Sequence, residues 1–333
     1  MFVRRSIAAV SVAAASVLVL AGCGGTSEPT SSESGAPAEE SYYPITVTDL
    51  SGEEVTVESA DRVGVTDNRF FQLAADWDLP VVVAPRALMS PNNPLKEDED
   101  ILDTGSHNEP NFEQFVAADP DVIINGYRYG SETGDSVREA APDAAFVSMD
   151  GPEEQSVDEY VTQSITLMGE IFNKADEAQT IIDDFHAAID TAKEAYDPSL
   201  TVMGLVTSGG EINYSNPVDG RGASIFFDLL DLTPALDTEG STDHTGDSVS
   251  LEALAEADPD YIIVLDRDAA VASDSGESAP ALELITSSPS LAEVTAVKND
   301  AIYVMPADYY LTEDVFAYTA VLDGLTDLFS SGQ

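Results

Sequence analysis

The sequence predicts an α/β fold of two lobes, each with a mostly parallel sheet, joined by a long helical backbone. In both halves of the chain short apolar runs alternate with segments of helical periodicity, which is typical of parallel sheets covered on both faces. A gap-free internal repeat relates the halves, and a long helical stretch separates its copies. We therefore expect Rossmann-like lobes at residues 43–155 and 199–333, with a helical spine at 156–198.

The first 22 residues resemble a bacterial lipoprotein signal peptide. Arg4 and Arg5 precede an uncharged Ala/Val/Leu run, which closes on Leu-Ala-Gly-Cys at residues 20–23. The run is too short for a membrane span, and no stop-transfer charges follow it. Cys23, the one cysteine, is expected to be acylated, and residues 23–42 to form a flexible tether. The mature protein should then be lipid-anchored at the outer face of the cytoplasmic membrane; an ordinary secretory signal is the alternative.

The N-terminal lobe is expected to begin with a hairpin, because residues 46–57 alternate apolar and polar side chains across Gly52. Residues 62–65 and 81–83 have the pattern of buried strands. Between them, a helix from Asn68 to Ala75 should be capped by Thr66, Asp67 or Asn68.

Residues 111–124 align without a gap on residues 250–263, and half of the fourteen positions are identical. In each copy Asn111 or Ser250 is expected to cap a short helix, an Asp-Pro-Asp turn ends it, and an apolar run enters a sheet. The offset of 139 residues also superimposes Arg128 on Arg267, each just past its strand. The repeat therefore predicts two equivalent lobes.

Apolar residues recur at helical spacing from Val157 to Met168 and from Ala175 to Tyr196, which predicts the rigid spine. Asn173 and Asp176 are candidate caps at the junction. The C-terminal lobe should continue with strands at 202–206, 212–214 and 302–304 and with helices at 224–230 and about 314–329.

The charge balance is strongly acidic, with 62 Asp and Glu against 13 Lys and Arg, a formal net charge of −49. Nucleic acid is excluded as a partner because phosphate binding needs a basic face. The acidic residues are scattered along the whole chain, which is typical of a solvated surface suited to high ionic strength. A cationic ligand is the alternative explanation.

Several segments together resemble a known family. They are the lipoprotein signal, Glu-Pro-Asn-Phe-Glu at 109–113, the spine, and the motifs DHTGDSVSLE at 243–252 and PDYIIVLDR at 259–267. These resemble the helical-backbone substrate-binding lipoproteins of ABC importers, and within them the receptors for ferric catecholate siderophores. The resemblance implies an extracytoplasmic binding protein for iron transport, not an enzyme. It implies that a monomer captures a ferric siderophore and delivers it to an ABC importer permease, with no intrinsic cofactor and Fe(III) bound only as the siderophore complex.

Carried over position by position, the resemblance implies three cleft arginines, Arg128, Arg221 and Arg267. It implies an iron-coordinating histidine at His244 and an iron-coordinating tyrosine at Tyr310, with Tyr309 as the alternative. Tyr127 and Tyr129, which flank Arg128, are further candidates to line the site.

Glu113 and Glu252 share one position of the repeat and match the family's glutamates that meet arginines on the permease. Preference for acidic residues at a helix N-terminus explains them equally well.

The residues also favour an anion site independently of the resemblance. Ligands of parallel-sheet lobes bind outside the carboxyl ends of the strands, where Arg128 and Arg267 fall. A ferric tris-catecholate carries three negative charges, and guanidinium groups match its oxygens. Each arginine alone could be a surface salt bridge. His107 could also face the crevice but is expected to be structural, with His186 an ordinary helix residue and Trp77 packed in the core.

The same sequence bears on three other functions. Haem or cobalamin binding on the same fold stays open. A surface hydrolase is disfavoured because the chain has no Gly-x-Ser-x-Gly, no His-Glu-x-x-His and no Gly-x-Gly-x-x-Gly after a strand. A divalent-metal receptor would need a His-rich loop, and the chain has three histidines.

Overall fold

The computed structural model describes residues 41–331 except Glu153, Asp237, Glu239 and residues 272–278. The predicted signal peptide, Cys23 and nearly all of the tether lie outside the described residues. The strands are β1 (Ile45–Thr48), β2 (Glu54–Val57), β3 (Val63–Val65), β4 (Val81–Ala84), β5 (Leu102–Asp103), β6 (Val122–Asn125), β7 (Ala145–Ser148), β8 (Val202–Ser208), β9 (Glu211–Ser215), β10 (Tyr261–Asp266) and β11 (Ile302–Val304). The α-helices are α1 (Phe71–Asp76), α2 (Glu113–Ala118), α3 (Ser131–Ala140), α4 (Val157–Ile171), α5 (Ala175–Ala195), α6 (Ser224–Leu230), α7 (Leu251–Ala257), α8 (Arg267–Val271), α9 (Ala281–Ser287), α10 (Thr295–Lys298), α11 (Tyr309–Thr312) and α12 (Val315–Ser331).

The first sheet has five parallel strands in the order β5-β4-β3-β6-β7. Its central strands β3 and β6 are buried at every residue, because helices and loops cover both faces of the sheet. The predicted hairpin forms from β1 and β2, and Gly52 supplies the positive φ of 88° at its turn. Asp67 caps the first helical turn by accepting from the Arg69 N–H, so one of the three predicted caps is confirmed.

The second sheet has the order β11-β10-β8-β9. Its first three strands are parallel, and β9 returns antiparallel to β8. Successive residues of β10 face opposite sides of the sheet, as the pleat requires. Ile263 and Leu265 enter the large core shared with the helices, whereas Ile262 and Val264 enter a smaller core on the other face. The predicted α/β class with mostly parallel sheets is confirmed.

The two repeat copies form equivalent units, α2-β6 and α7-β10. Each helix ends at an aspartate in the left-handed region, Asp119 at φ 45° and Asp258 at φ 42°. Ser250 caps α7, as predicted, by accepting from the Ala253 N–H. The prediction for Asn111 was wrong by one position, because the N-cap is Phe112; the Asn111 side chain accepts instead from the Glu113 N–H.

The predicted spine is a pair of helices, α4 and α5, separated by a short turn in which Asn173 has a φ of 54°. The C-terminal helix α12 packs against α5, and α5 packs against α4. His186 on α5 lies 2.7 Å from Asp158 on α4, and Trp77 is buried in the core, as expected. None of the described helices is long and apolar enough to cross a membrane.

Asp314, just before α12, makes stability depend on pH. Its carboxylate accepts from the Ala317 N–H, and burial raises its pKa from 3.8 to about 7. The folded state therefore holds this proton more tightly than the unfolded state, and the stability that Asp314 confers is lost as the pH rises from about 4 to about 7.

We expect Asp314→Asn, which keeps an acceptor oxygen for Ala317, to remove this contribution. Urea unfolding at several pH values should show a flatter decline for the variant, with a gain of a few kcal/mol at most above pH 7, since each pKa unit is worth about 1.4 kcal/mol. An unchanged slope between wild type and variant would contradict this role.

Candidate functional site

The loops at the carboxyl ends of the strands carry two of the predicted arginines. Arg128 lies in a short 3-10 helix, Tyr127–Tyr129, directly after β6, and Arg267 follows β10 without a gap. Tyr127 has a φ of 54°, and its N–H donates to the Asp150 carboxylate at 2.8 Å. This left-handed residue turns the chain so that both Tyr127 and Arg128 reach the same cluster.

Arg221 reaches the cluster from the loop between β9 and α6. Asn216 shapes this loop by accepting from the N–H groups of Val218 and Asp219, and the Ser215 hydroxyl donates to the Arg221 carbonyl at 2.8 Å. Gly222 follows with a φ of 86°, and a Cβ there would lie 3.0 Å from Leu265. The loop therefore needs glycine at this position to hold Arg221 against the second sheet.

The three predicted arginines converge on one aromatic ring. The guanidinium carbons of Arg128, Arg221 and Arg267 lie 5.5, 5.1 and 5.4 Å from the centre of the Tyr310 ring. Arg128 also donates to the Tyr310 carbonyl at 3.0 Å. Tyr310 is 8% exposed, and such distances are within the range of cation–π attraction. The structure thus brings Tyr310 and the three arginines together.

Glu313, a buried carboxylate that no sequence pattern singles out, lies at the centre of the same cluster. Its Oε2 accepts from the Tyr127 hydroxyl at 2.8 Å and pairs with Arg221, and Arg128 lies 3.6 Å away. Arg221 also donates to the Tyr127 hydroxyl at 2.7 Å. Burial raises the pKa of Glu313, and the charge of Arg221 and the hydrogen bond from Tyr127 oppose that rise. Glu313 therefore links Tyr127 and two of the arginines.

A fourth arginine, Arg69, packs against the ring of Tyr127. Arg69 stacks between the rings of Tyr127 and Tyr160, at 4.8 and 4.4 Å, and forms a two-pronged ion pair with the fully buried Asp67. Asp67 was predicted only as a helix cap, and Arg69 was not among the residues predicted for the site. The sequence does contain a signal for Arg69. Lys and Arg are rare in this chain, and Arg69 directly follows Asn68, one of the three predicted caps.

The cluster keeps a positive surplus. Four guanidinium groups face the buried carboxylates Asp67 and Glu313, with Asp150 at the rim beside Arg69. Arg267 donates to the Ser208 hydroxyl at 3.1 Å and forms no ion pair with any described residue. The Nε atoms of Arg221 and Arg267 are buried without a hydrogen-bond acceptor in the described structure. Chemically, the cluster offers charged donors to an anion.

Two tyrosines named from the sequence lie elsewhere. Tyr129 is fully buried, and its hydroxyl bonds to Thr104 at 2.9 Å. Tyr309 is fully buried among aromatic rings with its hydroxyl 3.4 Å from the Gly222 carbonyl, and burial raises its pKa well above the usual value. The structure therefore speaks against Tyr129 as a ligand contact and against Tyr309 as an iron ligand, since neither side chain reaches the crevice.

His244 lies in an exposed loop, with its Nδ1 3.9 Å from Asp243. Hydrogen bonds from the backbone and side chain of Thr245 lower the pKa of Asp243, and the charges of His244 and Arg267 add to this effect. The loop that carries His244 therefore lies close enough to Arg267 for the guanidinium charge to act on Asp243. His107 is half-buried, and burial together with the charge of Arg128 lowers its pKa, so it borders the cluster from the other side.

Glu113 and Glu252 are exposed in the first turns of α2 and α7, where each also complements the helix dipole. Within the described ranges, no group of three or more His, Cys, Asp and Glu side chains could hold a metal ion.

We expect Glu313→Gln to destabilise the protein by roughly 3 kcal/mol, because it leaves Arg128 and Arg221 partly buried without their shared counter-charge. Urea unfolding measures the loss. Glu177→Gln, which removes a carboxylate paired with Lys174 on the exposed surface, is the matched control and should change stability little. Equal effects of the two substitutions would contradict a central role for Glu313.

Comparison with known proteins identifies the family. The model of the periplasmic binding protein family matches residues 63–309. The chain is 26% identical over 259 residues to the petrobactin-binding protein YclQ of Bacillus subtilis, covering 77% of this chain and 74% of that protein. It is 25% identical over 335 residues to the ferric-anguibactin-binding protein FatB of Vibrio anguillarum, covering 97% and 98%.

Solved structures show the same fold. The catecholate-siderophore binding protein VctP of Vibrio cholerae superimposes with a TM-score of 0.71 at 19% identity, covering 86% of this chain and 100% of that one. The relatives are binding proteins and not enzymes, which agrees with the expectation from the sequence. The chain belongs to the periplasmic binding protein family of extracytoplasmic proteins, and the resemblance drawn from its motifs is confirmed.

Proposed function

We propose that this protein captures an anionic ferric siderophore of the catecholate type outside the cytoplasm and delivers it to an ABC importer. The observation that carries the proposal is the convergence of Arg128, Arg221 and Arg267 on Tyr310, in a chain with a net charge of −49. The rest of the surface repels an anionic chelate, so its binding depends on this cluster. Relatives named for ferric-siderophore binding support the same substrate class.

The arginines suit aryl oxygens bound to iron. Guanidinium groups stay charged at any working pH and donate along fixed directions, and catecholate oxygens on iron remain strong acceptors. The buried Nε atoms of Arg221 and Arg267 have no acceptor among the described residues, so protein groups do not saturate these two guanidinium groups. Iron then arrives as part of the ligand rather than as a resident cofactor.

We further propose that Tyr310 and His244 complete the iron shell when the siderophore supplies four of the six ligands that Fe(III) takes. A phenolate is a hard anionic donor, and neutral imidazole is a common ligand for transition metals. The Tyr310 ring lies against the three guanidinium groups that are proposed to hold the chelate.

Delivery rests on two further proposals that the sequence suggests. Acylation of Cys23 would keep the protein at the membrane surface, and Glu113 and Glu252 would dock on arginines of the permease. Both glutamates are exposed on equivalent helices of the two repeat units, which supports a two-point contact. Mass spectrometry of the membrane-extracted protein tests the lipid, and an unmodified Cys23 would rule out the anchor.

Two variants separate capture from delivery and serve as controls for each other. We expect the triple change of Arg128, Arg221 and Arg267 to Gln to weaken binding of a ferric tris-catecholate at least about a hundredfold, since each charge-assisted hydrogen bond contributes about 1.5–3 kcal/mol. Spectrophotometric titration measures the affinity, and the recovered chelate should be chemically unchanged.

The double variant Glu113→Lys with Glu252→Lys should bind the chelate normally, and cells that carry it should lose iron uptake. Wild-type affinity in the first variant, or wild-type uptake in the second, would refute the corresponding role.

The iron-shell proposal predicts a difference between chelates. Tyr310→Phe, and separately His244→Ala, should shift the visible charge-transfer band of a tetradentate bis-catecholate complex and weaken its binding, because each change removes one iron ligand. Neither substitution should alter binding of a hexadentate chelate, which needs no protein ligand. Tyr309→Phe is the control, since its side chain is buried away from the crevice. Unchanged spectra in both variants would exclude the two residues from the iron shell.

A further inference from the structure

A cavity of about 230 Å³ is lined by residues from both halves of the protein. The loop after β4 contributes Pro91 and Asn92, and α8 contributes Ala269 and Ala270. Ala307 and Leu311, the residue next to Tyr310 on α11, complete the apolar part of its wall. Pockets for whole drug-sized ligands usually measure about 300–1,000 Å³, so this cavity suits one arm of a ligand rather than a complete chelate.

One charged side chain, Asp308, lines the cavity. Its Oδ2 accepts from the Ser90 hydroxyl at 3.0 Å, which ties the carboxylate to the opposite half of the protein. Within the described part of the chain, its Oδ1 accepts no hydrogen bond and its carboxylate forms no ion pair. A partly buried carboxylate with a free oxygen and apolar surroundings is a good partner for a cation that carries alkyl groups.

Two residues that line the cavity are close neighbours in the chain of residues in the proposed iron-complex site. Ala269 lies two residues after Arg267, whose guanidinium contacts the Tyr310 ring, and Leu311 directly follows Tyr310. A chelate held by the arginines therefore has the cavity within reach of its linker. The guanidinium groups repel a cation, whereas Asp308 attracts one, so the two neighbouring regions select opposite charges.

We propose that the cavity binds a protonated alkylamine arm of the siderophore, with the ammonium group on Asp308 and the methylene groups against Ala269, Ala270 and Leu311. This inference rests on the proposed function and narrows its substrate class to anionic iron-binding groups joined by an amine-bearing linker. A linker of the same length without the amine would fill the cavity and leave the Asp308 carboxylate unpaired.

Two synthetic ferric bis-catecholates of equal linker length test the proposal, one with a secondary amine in the linker and one with a methylene in its place. We expect the wild-type protein to bind the amine chelate about tenfold more tightly, the effect of one charge-assisted hydrogen bond at a partly exposed site. Asp308→Asn keeps an acceptor for Ser90 and should remove the preference. Asp190→Asn, on the exposed face of α5, also removes one negative charge from the chain, and this variant should keep the preference for the amine chelate.

A second variant tests the cavity without changing its charge. Ala270→Leu narrows the cavity and should weaken both linked chelates, while a ferric complex of unlinked catechol should bind as before. Equal wild-type affinity for the two linked chelates, a preference that survives in Asp308→Asn, or no effect of Ala270→Leu would overturn the amine site while leaving the proposed function intact. Failure of every ferric catecholate to bind the wild-type protein would overturn the proposed function and the amine site with it.

Discussion

The ion pair and hydrogen bonds at Glu313 are the interactions on which the site depends. One oxygen of this carboxylate receives Tyr127 from the first sheet's loops and Arg221 from the second sheet's loops, with Arg128 close by. Like-charged guanidinium groups would otherwise repel each other at these distances. A single buried anion thus lets the two halves hold a concentrated positive charge between them.

The aromatic rings stabilise the positive charge of the arginines and add no negative charge to the cluster. Arg128 and Arg221 each lie within 6 Å of both the Tyr127 and the Tyr310 ring, so the ring faces stabilise two cations that share the single carboxylate of Glu313. Arg69 and Asp67 fix Tyr127 from the other side. The cluster is therefore ordered before any ligand arrives, and a preordered site loses less entropy on binding.

The fold could be predicted from local patterns, because the repeated helix-strand unit, the strands and the Ser250 cap are each determined by residues that are close together in the sequence. Asn111 missed the cap by one position: its side chain accepts from the Glu113 N–H, but the N-cap is Phe112, which makes no side-chain cap hydrogen bond, and side-chain chemistry alone does not predict a phenylalanine there. The site was harder to predict. Arg221 and Glu313 are 92 residues apart, and no local signal separates Glu313 from the other acidic residues. Tyr309 and Tyr310 are adjacent and both buried, and only the packing of α11 places one among aromatic rings and the other against the three arginines.

The isolation of four cations in an otherwise acidic chain has a kinetic consequence. At a distance an anionic chelate meets the field of the whole molecule, which repels it, and only near the crevice does it meet the attraction of the cluster. Dissolved salt screens the distant field first, since the Debye length falls from about 30 Å at 0.01 M to about 10 Å at 0.1 M. Added salt should therefore speed the encounter, in contrast to oppositely charged partners, whose association slows as salt is added.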